Sequence, residues 1–222
     1  MPLEKYDLAA MADDLVAVLN AAKVTRAMMF GVSLGGIIAQ LAALRHSNRF
    51  ISATFFMSTS GAPDLPFGRP DALRAIFKPT DTSSLNAYVE NAILIRRQIE
   101  SECVWVISDQ EIREFAEDCY KRYVSTEASS RQSNALMRQG AWYEELSQLS
   151  KMRTKVIHGT ADPIIPFECG QDLASRTESE LIDVPYLGHE LNSKIANLLV
   201  YHLIKDRDAI LGELLKLSKY EQ

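Results

Sequence analysis

The stretch that most constrains this chain is Gly31-Val32-Ser33-Leu34-Gly35-Gly36. It follows a short apolar run, Ala27 to Phe30, and opens a pattern in which Ile37, Ile38, Leu41 and Leu44 share one helical face. Strand, G-x-S-x-G turn and helix is the arrangement that strains a serine backbone and lifts its hydroxyl above the end of a parallel sheet. Residues two before and two after such a serine must be small, and Gly31 and Gly35 meet that need. The helix that follows aims its unpaired N–H groups, that of Leu34 first, at the place where negative charge would develop. A glycine-rich turn can also serve only close packing of strand on helix. The chemical reading therefore depends on a base and an acid further along the chain.

The chain has four histidines. His46 closes the helix after the serine turn, in Leu44-Arg45-His46-Ser47-Asn48. His202 lies inside a late helical pattern with Ile195, Leu198, Leu199 and Leu203. His158 ends the strand-like Lys155-Val156-Ile157 and is expected to face structure at a strand terminus. His189 differs, because it sits in Tyr186-Leu187-Gly188-His189-Glu190, just after the strand-like Glu180 to Val184 and just before a helix. A loop at the carboxyl end of a parallel strand projects into the same crevice as the serine turn, so His189 is the candidate general base.

The candidate acid is Asp162, in His158-Gly159-Thr160-Ala161-Asp162-Pro163-Ile164-Ile165-Pro166, a strand end followed by a proline-held loop. A carboxylate there can accept from the imidazole, fix its tautomer and stabilise the imidazolium. An ordinary Asp-Pro turn is the bland reading. The rival acid is Asp64, in Gly61-Ala62-Pro63-Asp64 after the earlier strand Ile51 to Met57; Asp162 is preferred because its turn is tighter and it lies between serine and histidine.

Ser33, Asp162 and His189 run in the order nucleophile, acid, base, unlike either serine protease order. With these residues the sequence resembles the α/β-hydrolase superfamily, from about Tyr6 to the C-terminal helix, with the middle third poorly matched. More narrowly it resembles the aclacinomycin methylesterase-like and haloperoxidase-like branch. The stretches are Tyr6-Asp7-Leu8 with Met11-Ala12-Asp13-Asp14, Gly31 to Gly36 running into Ile37-Ile38-Ala39-Gln40, Arg131-Gln132-Ser133-Asn134-Ala135, and His158 to Pro163 with Gly188-His189-Glu190. The resemblance implies a mostly parallel sheet flanked by helices, with a helical cap over the serine. Members of the superfamily usually begin with several strands, and the loop after the third carries one oxyanion donor, often within a His-Gly motif. Here the chain opens at the helix that precedes the serine turn, with Leu8, Met11, Leu15, Val18 and Leu19 at helical spacing, so an N-terminally shortened version of the fold is expected. In such a version the strand ending at Phe30 has an open edge, where a second copy could pair to form a homodimer. The Leu34 N–H is then the one obvious oxyanion donor, and losing one donor costs about 2.7–4 kcal/mol of transition-state stabilisation.

With 47% hydrophobic side chains, the 222 residues suffice for one sizeable core. The net charge of −5 and the lack of a basic block give no footprint for nucleic acid, and Arg96-Arg97 reads as a solvated helix face. No apolar run is long enough to span a bilayer and no signal pattern opens the chain, so no membrane association and a cytoplasmic location are expected. Cys103, Cys119 and Cys169 are unpaired in spacing and indicate neither a disulfide framework nor a zinc site. Three segments follow: a core over 1–63, a helical cap over 64–148 with helices over 86–99, 110–123 and 130–146, and a second core part over 149–222. Phe67, Phe77, Tyr88, Trp105, Phe115 and Trp142 are candidate pocket-lining aromatics, though packing within the cap suits each of them better.

The chemistry expected is acyl transfer from a small or medium apolar ester to water through an acyl-serine, with no cofactor and no metal. By the same resemblance, serine at the turn argues against haloalkane dehalogenases and most epoxide hydrolases of the fold, which use aspartate there. Carboxylesterase, methylesterase, cofactor-free perhydrolase and carbon–carbon hydrolase remain open. The alternative is a shortened, catalytically weak homologue that acts by binding a ligand or partner.

Overall fold

The structure, a computed structural model, describes residues 6–100 and 104–217. Cys103 lies outside the described residues. Four parallel strands form one sheet in the order β1 (Ala27–Val32), β2 (Phe50–Phe56), β3 (Arg153–Gly159), β4 (Glu180–Val184). Spatial order equals chain order, so each crossover steps one strand in the same direction and all carboxyl ends meet at one rim. The apolar run before Ser33 continues through Gly31 and Val32, which pair with Phe55 and Phe56. β1 is an edge strand of this sheet.

The inner strands are covered on both faces, and this explains their near-continuous apolar runs. Alternation sends Phe55 and Val156 to one face, where α1 (Leu8–Ala21), α2 (Leu34–Arg45) and α7 (Phe167–Thr177) pack. Phe56 and Ile157 point the other way, towards Ile195 and Leu199 of α8 (Ser193–Leu217). Lys155 lies on that second face, 5% exposed, and its Nζ donates to Asp206 Oδ1 of α8 at 2.7 Å. The pair fixes the rotation of α8 on the sheet.

Between β2 and β3 come α3 (Pro70–Phe77), α4 (Leu85–Ile99), α5 (Asp109–Arg122) and α6 (Thr126–Arg138), followed by 3-10 turns over Tyr143–Lys151. Start signals are local: Ser84, Ser108 and Ser125 cap α4, α5 and α6, and Ser108 with Glu111 forms a full capping box. Two expectations are corrected here. No helix is anticipated over Pro70–Phe77, although Pro70 stands at a first helical turn, where its missing N–H does no harm. The helix expected over 130–146 starts at Thr126 under its Ser125 cap and stops at Arg138, because Gln139 and Gly140 leave helical geometry before the 3-10 turns begin.

Candidate active site

β1 ends at Val32 and α2 begins at Leu34, which leaves Ser33 as a one-residue hinge with φ 52° and ψ −118°. A side-chain-bearing residue holds that φ only when its surroundings enforce it. The enforcement comes from the end of β2. The Ser33 N–H donates to the Phe56 carbonyl at 2.9 Å, and Ser58 Oγ donates to the Ser33 carbonyl at 3.0 Å. Gln40 Nε2 donates to the Thr59 carbonyl at 3.1 Å, and Trp142 Nε1 donates to Gln40 Oε1 at 2.9 Å, so a buried polar chain braces the turn from below. Ser58, Gln40 and Trp142 escape a reading of the sequence as supports of the turn, because they lie on three separate elements.

The glycine requirement differs from expectation at one position. A Cβ on Gly31 would stand 2.4 Å from the Gly35 carbonyl oxygen, so residue 31 must be glycine. A Cβ on Gly35 meets nothing within 4 Å, whereas one on Gly36 would lie 2.5 Å from Ser58 Cβ. The first turn of α2 carries residue 35 outward and residue 36 against the end of β2, so the tight position is Gly36 and not Gly35.

Although serine is favoured at an N-cap, the Ser33 side chain does not cap α2. Its Oγ lies 2.9 Å from His189 Nε2. His189 Nδ1 lies 2.8 Å from Asp162 Oδ2. A carboxylate only accepts, so Nδ1 carries the imidazole proton and the Nε2 lone pair faces the serine hydroxyl. Asp162 is oriented by its own loop: Oδ1 accepts from the N–H groups of Ile164 and Ile165, both at 2.8 Å, leaving Oδ2 for the ring. Asp162 and His189 are both buried. As the first residue of α2, Leu34 has an N–H with no intrahelical acceptor, and it adjoins Ser33.

The other sequence candidates lie elsewhere. Asp64 is exposed, and the charge it faces is Arg176. His46 meets Asp13 Oδ1 at the surface at 2.6 Å, and His202 sits on α8 near Lys155. His158 is fully buried under the acid loop. Its Nε2 donates to the Ile165 carbonyl at 2.8 Å and stands 3.6 Å from Asp162 Oδ2. Burial pushes its pKa down, against the opposing pull of Asp162, so the ring stays neutral and holds the loop by a hydrogen bond. That role was not anticipated; a histidine at a strand end, four residues before the acid, was the available signal. Cys169 is buried with its thiol pushed up to about 11 by desolvation, which keeps it protonated and unreactive.

Ser33 and Leu34 open onto a cavity of about 630 Å³ walled by Leu73 and Phe77 of α3, Leu136 of α6, and Ile164. None of its lining residues is charged. Of the six aromatics named from the sequence, Phe67 and Phe77 line it. Trp142 is core, Tyr88 packs on Tyr120, Phe115 is exposed, and Trp105 lies beside the histidine loop.

A sequence profile of the serine aminopeptidase S33 family matches residues 6–193. The chain belongs to this hydrolase family. Its fold is the α/β-hydrolase fold. The AB hydrolase superfamily protein YisY of Bacillus subtilis (strain 168) is 27% identical over 201 residues, covering 85% of this S33-family chain and 69% of YisY. Among solved structures, the esterase EaEST from Exiguobacterium antarcticum superposes with TM-score 0.68 at 18% identity, covering 92% of this chain and 75% of that one. The meta-cleavage product hydrolase CumD from Pseudomonas fluorescens IP01 gives TM-score 0.66 at 15% identity, with 93% and 73% covered. At these identities the structural likeness speaks for the fold alone. Among the described residues, no helix of this S33-family chain is long and apolar enough to cross a membrane.

Proposed function

We propose that this chain is a serine hydrolase that cleaves esters of small or medium apolar substrates through Ser33, His189 and Asp162. One observation carries the reading: an unbroken run from Asp162 Oδ2 through both imidazole nitrogens to Ser33 Oγ, ending at an uncharged, mostly apolar cavity. His189 Nε2 takes the Ser33 proton as Oγ attacks the carbonyl carbon, and the Leu34 N–H meets the developing oxyanion. The imidazolium, stabilised by Asp162, returns that proton to the leaving alkoxide. Water activated by His189 then attacks the acyl-serine, which releases the acid and restores Ser33.

The cavity argues for an ester over a peptide with a free amino terminus. Recognising an α-ammonium group calls for a carboxylate in the pocket, and no aspartate or glutamate lines this one. The helices between β2 and β3 act in this reading as the cap that excludes water from the acyl-serine. Free Cys119 and Cys169 suit a reducing compartment such as the cytoplasm. The outer edge of β1, which pairs with no other described strand, would be the pairing surface of a homodimer.

The test is hydrolysis of p-nitrophenyl butyrate by the protein and by its Ser33→Ala variant. Turnover that disappears in the variant supports the proposal; equal rates overturn it. A second reading, a binding protein that holds a ligand in the cavity with little turnover, is favoured by the single N–H donor that the start of α2 offers beside Ser33. It predicts equal rates together with saturable binding of a butyrate ester.

A further inference from the structure

Resting on Ser33, Asp162 and His189 as the reacting groups, we infer that the end of α4 and the residues leading into α5 hold the base in reach of the nucleophile, with Arg96 as a half-buried positioning residue. The loop after β4 is divided between two supports. Its first part belongs to the sheet: the Ala161 N–H donates to the Leu187 carbonyl at 3.0 Å, and the Tyr186 N–H donates to Thr160 Oγ1 at 2.9 Å. From residue 189 onward, the His189 ring aside, the loop finds partners in the helical segment between β2 and β3.

The His189 N–H donates to the Ile99 carbonyl at 2.7 Å. Ile99 is the last residue of α4, and its carbonyl is one of those a helix end leaves unpaired, so the base's own backbone completes α4. A Cβ on Gly188 would lie 2.5 Å from that same oxygen and 2.8 Å from the Glu100 carbonyl carbon, which shows how closely the two backbones meet. Arg96 Nη2 donates to the Leu191 carbonyl at 3.2 Å. Asn192 Nδ2 donates to the Trp105 carbonyl at 2.8 Å, and Trp105 Nε1 donates back to the Pro185 carbonyl at 2.9 Å. Lys194 Nζ donates to the Val106 carbonyl at 2.6 Å, and Ser193 Oγ donates to Glu111 Oε1 at 3.1 Å. The residues from His189 onward are thus gripped by Arg96 and Ile99 of α4 and by Trp105, Val106 and Glu111.

Charge reinforces the grip. Glu190, next to the base, is 1% exposed, and the Glu100 side chain is 4% exposed. Arg96 faces both carboxylates and, unfavourably, Arg97. Arg97 pairs with Glu100, and Arg96 adds a second cation that acts on both Glu100 and Glu190 while also donating to the loop backbone, so it supplies charge and placement together. Around His189 itself the titratable groups are Asp162 and His158 from β3 and its loop, Glu190 from its own loop, and Glu100 and Arg96 from α4. Displacing α4 from the loop would move His189, so cap position and catalytic competence are coupled mechanically.

Phosphonylation of Ser33 by a fluorophosphonate tests this, because the serine attack that expels fluoride needs the base but no matched substrate. The rate is measured against pH for the full chain and for Arg96→Met, Arg96→Lys and Asn192→Ala, with melting temperatures alongside. Arg96→Met is expected to slow labelling at least tenfold. It also removes one positive charge from beside Glu190 and Glu100, which favours the imidazolium and moves the acid limb of the profile to higher pH. Arg96→Lys restores the charge and returns the limb to its original place, with only part of the rate regained. Asn192→Ala keeps the buried charges and is expected to slow labelling about threefold, and it serves if Arg96→Met does not fold. Labelling within twofold of the full chain with an unmoved limb, in whichever of Arg96→Met and Asn192→Ala fold, overturns the inference while leaving the Ser33 assignment intact. A rate loss in Arg96→Met with an unmoved limb assigns Arg96 a purely structural part and overturns the inference too. Failure of the unmutated protein to label at Ser33 removes the assignment, and the inference falls with it.

Discussion

The rim of the sheet and the helical segment between β2 and β3 build the candidate site in opposite ways. At the rim, Ser33 and Asp162 sit one and three residues past a strand end, oriented by the backbone of the adjacent strand and of the acid loop respectively. In the helical segment, amphipathic helices with exposed polar faces reach the site only by laying Leu73, Phe77 and Leu136 around a cavity and by gripping the loop of His189. On the proposed function, the first region therefore fixes the chemistry by short covalent reach, whereas the second shapes substrate space and placement through many weak tertiary contacts.

Removing the Ser33 hydroxyl should divide chemistry from folding most sharply. Ser33→Ala is expected to lower ester turnover on the order of 10⁴-fold or more while the melting temperature holds, as read by initial rates and thermal denaturation. A change confined to the sheet comes next. Lys155→Met strands Asp206 in a nearly buried place and should destabilise the fold by about 3–5 kcal/mol in urea denaturation. Within the serine turn, Gly36→Ala should cost about 1–3 kcal/mol because Ser58 must move, whereas Gly35→Ala, with open space around it, should leave stability unchanged. Equal costs at the two glycines would contradict the packing described here. In the helical segment, Ser108→Ala removes one half of the α5 capping box and should cost about 1 kcal/mol, read in the same denaturation experiment.

The last prediction is a slope rather than a step. His158 is held neutral in the fold, below its ordinary value of 6.5, by burial. Its contribution is full above about pH 6.5 and is lost as pH falls from there towards the depressed folded value, because the unfolded chain takes up a proton the folded one refuses. Replacing His158 by Asn should flatten stability over that acidic window, and an unchanged pH dependence would remove His158 from the account.

Much of the site was legible because its signals are local. G-x-S-x-G between an apolar run and a helical face, an Asp-Pro turn after a strand, and a histidine in a loop after the next strand are each spelled out by residues only a few positions apart. The caps Ser84, Ser108 and Ser125 were equally present in the sequence, yet the helix under Ser125 was misplaced because its apolar face is weak, although Gly140 just past its end is a stop signal. The obligatory glycine at position 36 was missed for another reason: its constraint comes from Ser58, on a different strand end.

By itself, the sequence determined the strands, their parallel class and the types of side chain that gather at one rim, since periodicity, capping and turn chemistry act over short separations. Only the tertiary structure decided that Ser58, Gln40 and Trp142 brace the serine, that His158 supports the acid loop, and that Arg96 and Ile99 hold the histidine. Those contacts join residues far apart in the chain, and they exist only once burial has removed water and left each polar group to find its partner across elements.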